Sequence, residues 1–142
     1  MRHLTAGLLF AALAACSSNK SADITAASPT NQTVSQQELG RSFLMKVGES
    51  VTVGELRLTF RSVEGDSRCP TDVVCVWAGD GEVALRVEQG NKAAVAALHT
   101  TLEPKKTEWE GYTIGLVSLR PERKANTGID AADYRAEILV TR

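Results

Sequence analysis

Histidine is nearly missing from this chain: two in 142 residues, and only His99 lies beyond the first few positions. One imidazole cannot build a His-rich zinc site. A Ser-His-Asp triad would need a serine brought to His99, and the chain has no Gly-x-Ser-x-Gly turn. Walker-type loops and Gly-x-Gly-x-x-Gly are also missing, which removes the usual nucleotide cradles. Aromatics are 5% of residues, too few for a stacking platform, and the formal charge of -1 gives no basic field for nucleic acid. No apolar run approaches the roughly 20 residues that span a bilayer. No internal repeat is visible. Cysteine is scarce and odd in number, with three, so at least one does something other than pair within the chain. No cofactor is expected.

Apolar residues are concentrated first at the N-terminus. Arg2 provides a basic start, and residues 4–15 run almost without polarity to Leu13-Ala14-Ala15-Cys16. A run this short, behind a positive charge, reads as a secretory leader. Its end resembles the lipobox of bacterial lipoproteins: a leucine, two small residues and a cysteine. The resemblance implies that the Cys16 thiol receives diacylglycerol, that residues 1–15 are removed, and that Cys16 becomes the acylated first residue. Several acyl chains give stable anchoring where one is marginal. Ser17, in place of the aspartate that favours inner-membrane retention, implies an outer-membrane protein facing the periplasm in a Gram-negative cell. The implied partners are a membrane, through the lipid, and an envelope protein.

Residues 17–37 hold Ser, Thr, Asn or Gln at 13 of 21 positions, with no sustained period, so they cannot bury enough apolar surface to fold alone. Residues 16–39 are therefore expected to form a lipidated tether, with a short helix near residues 34–41 as the alternative. From residue 40 alternation takes over. Phe43/Met45/Val47, Val51/Val53, Leu56/Leu58/Phe60, Val83/Leu85/Val87, Ala94/Ala96/Leu98/Leu102, Tyr112/Ile114/Leu116 and Tyr134/Ala136/Ile138/Val140 each share a parity. Such runs read as half-buried antiparallel strands. The parity change between Leu116 and Leu119 predicts a bulge. Glycines at 48, 79, 81, 90 and 111 mark turns. Residues 130–133 suit one helical turn. Residues 40–142 are thus expected to form an all-β domain: an antiparallel two-layer β-sandwich of immunoglobulin-like size with seven to eight strands, or else a small β-barrel.

The most distinctive segment is Asp66-Ser67-Arg68-Cys69-Pro70-Thr71-Asp72-Val73-Val74-Cys75-Val76-Trp77-Ala78-Gly79. Export into an oxidising compartment makes Cys69–Cys75 a disulfide. The Asp-Ser-Arg-Cys-Pro…Cys-x-Trp-Ala-Gly pattern resembles a group of small bacterial lipoproteins and exported proteins. Gly111-Tyr112-Thr113-Ile114 through Pro121 and Asp133-Tyr134-Arg135-Ala136 extend the likeness over most of the domain. The resemblance implies a β-rich envelope domain with a local disulfide and supplies no activity.

Four residues stand out for recognition: Arg68, Asp72, Trp77 and Trp109. Arg68 is expected either to brace the loop through Asp66 or Asp72, or to project. Trp77 is read as a plug packed on the disulfide, with an exposed ligand anchor as the other reading. Trp109, between two glutamates, is as readily exposed as buried. His99, opposite in parity to Leu98, should face solvent. Lys105, Lys106 and residues 120–124 read as solvated turn charges. Asp66, Asp72, Asp80 and Glu82 would make a calcium or acid–base site only if they converge. The chain is expected to be a lipid-anchored, non-catalytic binding or structural module of the envelope. The alternative is a protease-inhibitor-like module presenting the Cys69–Cys75 loop.

Overall fold

A computed structural model describes residues 34–142; the leader, Cys16 and residues 17–33 lie outside the described residues. Alternation dictates the architecture. Strands β1 (Ser35–Gln37), β3 (Ser50–Val53), β4 (Leu56–Asp66), β5 (Gly81–Gln89) and β6 (Lys92–His99) form one sheet, in the order β1-β3-β4-β5-β6. Strands β2 (Ser42–Lys46), β7 (Lys106–Trp109), β8 (Tyr112–Arg120) and β9 (Arg135–Thr141) form the other, in the order β2-β9-β8-β7. All neighbours are antiparallel except β1, which runs parallel to β3. A single 3₁₀ turn at Ala131–Asp133 occupies the expected place before β9.

The two sheets pack face to face on the predicted parities. Val51, Val53, Leu56, Leu58, Phe60, Val83, Leu85 and Leu98 from the first meet Met45, Tyr112, Ile114, Ala136, Ile138 and Val140 from the second, all essentially inaccessible. Cross-strand neighbours fix the register, among them Phe60 beside Leu85 and Leu116 beside Ile138. The bulge expected in β8 lies between Leu116 and Ser118. It restores Leu119 to the core side.

Three expectations are corrected. Both sheets keep open edges, so the barrel alternative falls and the sandwich stands. Nine strands occur among the described residues rather than seven or eight. The two extra ones, β1 and β7, are short edge strands whose backbone pairing needs little apolar content. β1 also lies inside the segment read as tether or short helix, and its pairing with Val51–Val53 starts the folded domain before residue 40. No helix among the described residues is long and apolar enough to cross a membrane.

Candidate functional site

The segment joining β4 to β5 stands at one end of the sandwich and is shaped by what β4 does first. Two register shifts, at Phe60/Ser62 and Val63/Gly65, insert two residues into β4. Two shifts cancel in parity, so Asp66 faces Gly81 on the same side as Phe60, at the rim of the core. A carboxylate placed there needs partners. Arg68 supplies them: its Nε donates to Asp66 Oδ1 at 2.8 Å and its Nη2 to Oδ2 at 2.6 Å. Tyr134 donates its hydroxyl to Oδ2 at 3.0 Å.

Two of the three remaining guanidinium hydrogens go to the backbone carbonyls of Leu119 and Pro121 in the opposite sheet and its following loop. Gly81 makes room for this arrangement, since a β-carbon there would lie 2.9 Å from Leu119 and 3.3 Å from Arg68. The side chains of Arg68 and Asp66 are 14% and 7% exposed, so this is a largely buried, hydrogen-bonded ion pair. Burial alone would raise the Asp66 pKa, but the hydrogen bonds from Arg68 and Tyr134 outweigh it and hold it below the usual value. The Tyr134 hydroxyl is pushed up, by burial first and by its bond to that carboxylate second.

A second carboxylate closes the far side. Asp80 accepts from His99 Nδ1 at 2.7 Å, the Thr100 hydroxyl at 3.2 Å, and the backbone amides of Thr101 and Leu102 at 2.9 and 3.3 Å. Desolvation opposes ionisation of Asp80, yet the bond from His99 and the two amides draw its pKa down to about 2. The Asp80 backbone also joins the two limbs of the loop, its carbonyl accepting from the Ser67 amide at 2.7 Å. The limbs approach so closely at Gly79, where φ is +67°, that a β-carbon would lie 1.8 Å from the Ser67 carbonyl oxygen. Only glycine fits there.

Between these two anchors stands the disulfide ring. Cys69 and Cys75 are bonded, with α-carbons 6.0 Å apart. The ring leans on the segment after β8. Arg123 donates to the Arg68 carbonyl at 3.0 Å, Lys124 to the Thr71 hydroxyl at 2.7 Å, and the Ala125 amide to Asp72 at 2.8 Å. The charges of residues 120–124 are thus not merely solvated: two of them hold the ring.

Beyond this scaffold the loop is apolar and faces outward. Val74 is 101% exposed, Val76 91% and Trp77 82%, with Val73 and Leu102 about half exposed. Trp77, Ala78, Gly79 and Leu102 line a shallow groove of about 370 Å³ with Ser67, Asp80 and Thr101.

The four residues singled out from the sequence therefore separate. Trp77 is not a plug, because the sandwich core is complete without it and polar braces hold the ring off the sheets. Arg68 does brace, through Asp66 and not Asp72, and its guanidinium faces inward, so it is not displayed. Asp72 serves as a cap for the Ala125 amide. Trp109 lies at the far end, half-buried against the core, with its indole nitrogen buried and unpartnered. His99 turns from the expected solvent toward Asp80. Leu102 leaves the strand parity because β6 ends at His99, where Asp80 gathers the next amides into a turn.

Asp66, Asp72 and Asp80 each have separate partners, and among the described residues no group of three or more acidic, His or Cys side chains is placed to hold a metal ion. Asp80 is the only hydrogen-bond partner of the His99 ring among those residues. The outward role of Val74 and Val76 was missed in the sequence. Its signal is a Val73-Val74-Cys75-Val76 run that straddles the second cysteine, within a domain already supplied with core strands.

The fold and this loop define an all-β sandwich with an exposed apolar tip on a loop braced by polar contacts. No protein-family model, no curated protein and no solved structure matches the chain.

Proposed function

We propose that the protein is a lipid-anchored, non-catalytic module of the bacterial cell envelope whose working surface is the Cys69–Cys75 loop. One observation carries the binding role. Four large apolar side chains (Val73, Val74, Val76 and Trp77) stand in solvent on a loop fastened by a disulfide, two partnered carboxylates and five hydrogen bonds to residues 123–125. Exposed apolar clusters of this kind mark interaction sites, and a loop held rigid before binding loses little entropy on binding. The leader and the Leu13-Ala14-Ala15-Cys16 sequence support the anchor and the envelope location, with Ser17 supporting the outer membrane.

The protein acts by holding this tip at a membrane surface, through the acylated Cys16 and the residues that follow it. The inhibitor-like alternative relied on a displayed Arg68, and the inward guanidinium gives it no support. The test is expression of the full chain in bacteria with mass analysis of the membrane fraction. The wild type should carry acyl groups on Cys16 as its first residue, and Cys16→Ser should abolish them. A wild-type chain recovered unacylated from the soluble fraction would end this reading.

A further inference from the structure

We infer that the occupant of the apolar tip is the headgroup-level zone of a phospholipid bilayer, so that the protein touches its membrane at two points, the lipid on Cys16 and the Val73–Trp77 tip. The inference rests on the anchored-module reading and deepens it.

The chemistry of the tip favours lipid over protein. Residues 73–79 carry no charge, and the Trp77 indole nitrogen is the only nitrogen or oxygen in their side chains. A protein interface selects its partner with hydrogen bonds at about one per 100–200 Å², and the side chains of this tip offer a partner almost nothing to select with. An interfacial bilayer zone asks for no such pattern. It accepts aliphatic side chains, and tryptophan with its apolar body and single polar edge is the residue that settles there. The loop backbone has no strand or helix pairing at residues 73–78, which restricts the tip to headgroup depth, where water still reaches. The disulfide and the two carboxylate anchors let it enter without ordering.

The charges at the base of the tip carry no positive excess: Arg120, Arg123 and Lys124 are opposed by Glu122, by Asp72 of the ring, by Asp80 in the groove beside Trp77, and by Glu137, which pairs with Arg120 at 3.8 Å. The contact therefore rests on the apolar side chains.

Chain direction agrees with this contact. β3 is antiparallel to β4, and β4 runs toward the ring; β1, parallel to β3, therefore runs away from it. The chain enters β1 from the side on which the ring stands. Ser35 is level with Val51 and so with Leu58, eight residues before Asp66, or about 26 Å at most along the strand. The 18 residues between Cys16 and Ser35 can span up to about 60 Å. An anchor in a bilayer at the ring end is within reach, and tethering keeps the tip at high local concentration beside that surface.

The experiment uses the full chain with Trp109→Phe, which leaves Trp77 as the only tryptophan. It is placed in phosphatidylethanolamine–phosphatidylglycerol vesicles carrying brominated acyl chains. Trp77 emission should shift to the blue and be quenched by the brominated lipid. With Val74→Asp and Val76→Asp added, Trp77 should stay open to acrylamide. In the Cys16→Ser chain the same pair should weaken partition onto vesicles about tenfold or more, the value of withdrawing a valine from the apolar phase.

Trp77 emission unchanged by vesicles overturns the inference. So does a blue shift that appears only when envelope proteins are added, which would assign the tip to a protein. The mass of Cys16 is read on the same samples. An acylated chain with an unburied Trp77 ends the lipid contact and leaves the anchored module standing. An unacylated chain ends the anchored module, and the vesicle titration still decides the tip.

Discussion

The sandwich and the β4–β5 loop invert each other. In the sandwich, Leu56, Phe60, Val83, Ile114 and Ile138 are inside, while Arg57, Arg61, Arg86 and Lys106 are outside. In the loop, the charged side chains of Asp66, Arg68 and Asp80 are nearly buried, while Val74, Val76 and Trp77 stand in solvent. The sandwich is held by area removed from water, which is non-directional. The loop is held by directed bonds, which fix a shape without using apolar side chains. A segment built that way leaves its apolar groups free for something other than folding. The division predicts that substitutions of the inward polar groups cost stability and substitutions of the outward apolar groups do not.

The largest effect is expected from Arg68→Ala. It leaves the charge of Asp66 at the core rim with only the Tyr134 hydroxyl and the backbone amide of residue 68 as donors, and frees the Leu119 and Pro121 carbonyls. Breaking a buried pair from one side costs roughly 3–5 kcal/mol. Urea unfolding should show a loss of about 3 kcal/mol or more. A loss under about 1 kcal/mol would mean that the pair is solvated and the inversion superficial.

Replacing both Cys69 and Cys75 by Ser comes next. The ring closes only about seven residues, and the entropy of closing so short a loop is worth roughly 2–2.5 kcal/mol. Because the anchors at Asp66 and Asp80 lie outside the ring, the sandwich should remain folded. Hydrogen exchange should rise at residues 70–76 and stay unchanged in β5 and β8.

Acid gives a smaller and more selective test. The folded pKa of Asp80, about 2, lies below its ordinary 3.8. A depressed carboxylate contributes its stability above the unfolded pKa and loses it as pH falls through the folded one. The wild type should therefore lose stability between about pH 4 and pH 2, with Asp66, also depressed, contributing in the same direction. Asp80→Asn should lower Tm at pH 6 and flatten the acid limb, a difference of the order of 1 kcal/mol once solvent screening is allowed for. An unchanged acid limb in Asp80→Asn would remove Asp80 from the brace.

The same division explains what could be read from the sequence. Period-two alternation announces strands because burial is repeated along each one, so Phe43/Met45, Leu56/Leu58/Phe60 and Ile138/Val140 were legible, as was the bulge after Leu116. β1 and β7 were not, because an edge strand of three or four residues can be made by backbone pairing with little apolar pattern. The disulfide was legible from compartment chemistry. The loop's orientation was not. Trp77 next to a cysteine reads as a core residue by composition, whereas the loop is held by bonds from Arg68 to the Leu119 and Pro121 carbonyls, about fifty residues away, which no local pattern carries. Arg123 and Lys124 read as free charges in the sequence because their partners are about fifty residues away.

The smallest expected effect is the sharpest test of the comparison. Val74 is wholly exposed, so Val74→Ser removes no buried area and no hydrogen bond. The ring geometry is set by Cys69, Cys75 and the contacts of Thr71 and Asp72, none of which involves this side chain. Surface substitutions away from special features usually stay within about 0.5 kcal/mol, and unfolding of Val74→Ser should coincide with wild type within that margin. The same substitution inside the sandwich, Val53→Ser, removes a fully buried valine and places a hydroxyl in the apolar core beside Leu56. That should cost roughly 2–3 kcal/mol or more. Identical chemistry at two valines would then separate by their roles: one spent on folding, the other left for a surface outside the protein. If Val74→Ser were as damaging as Val53→Ser, the tip would be an extension of the core, and the loop would have no apolar surface to offer.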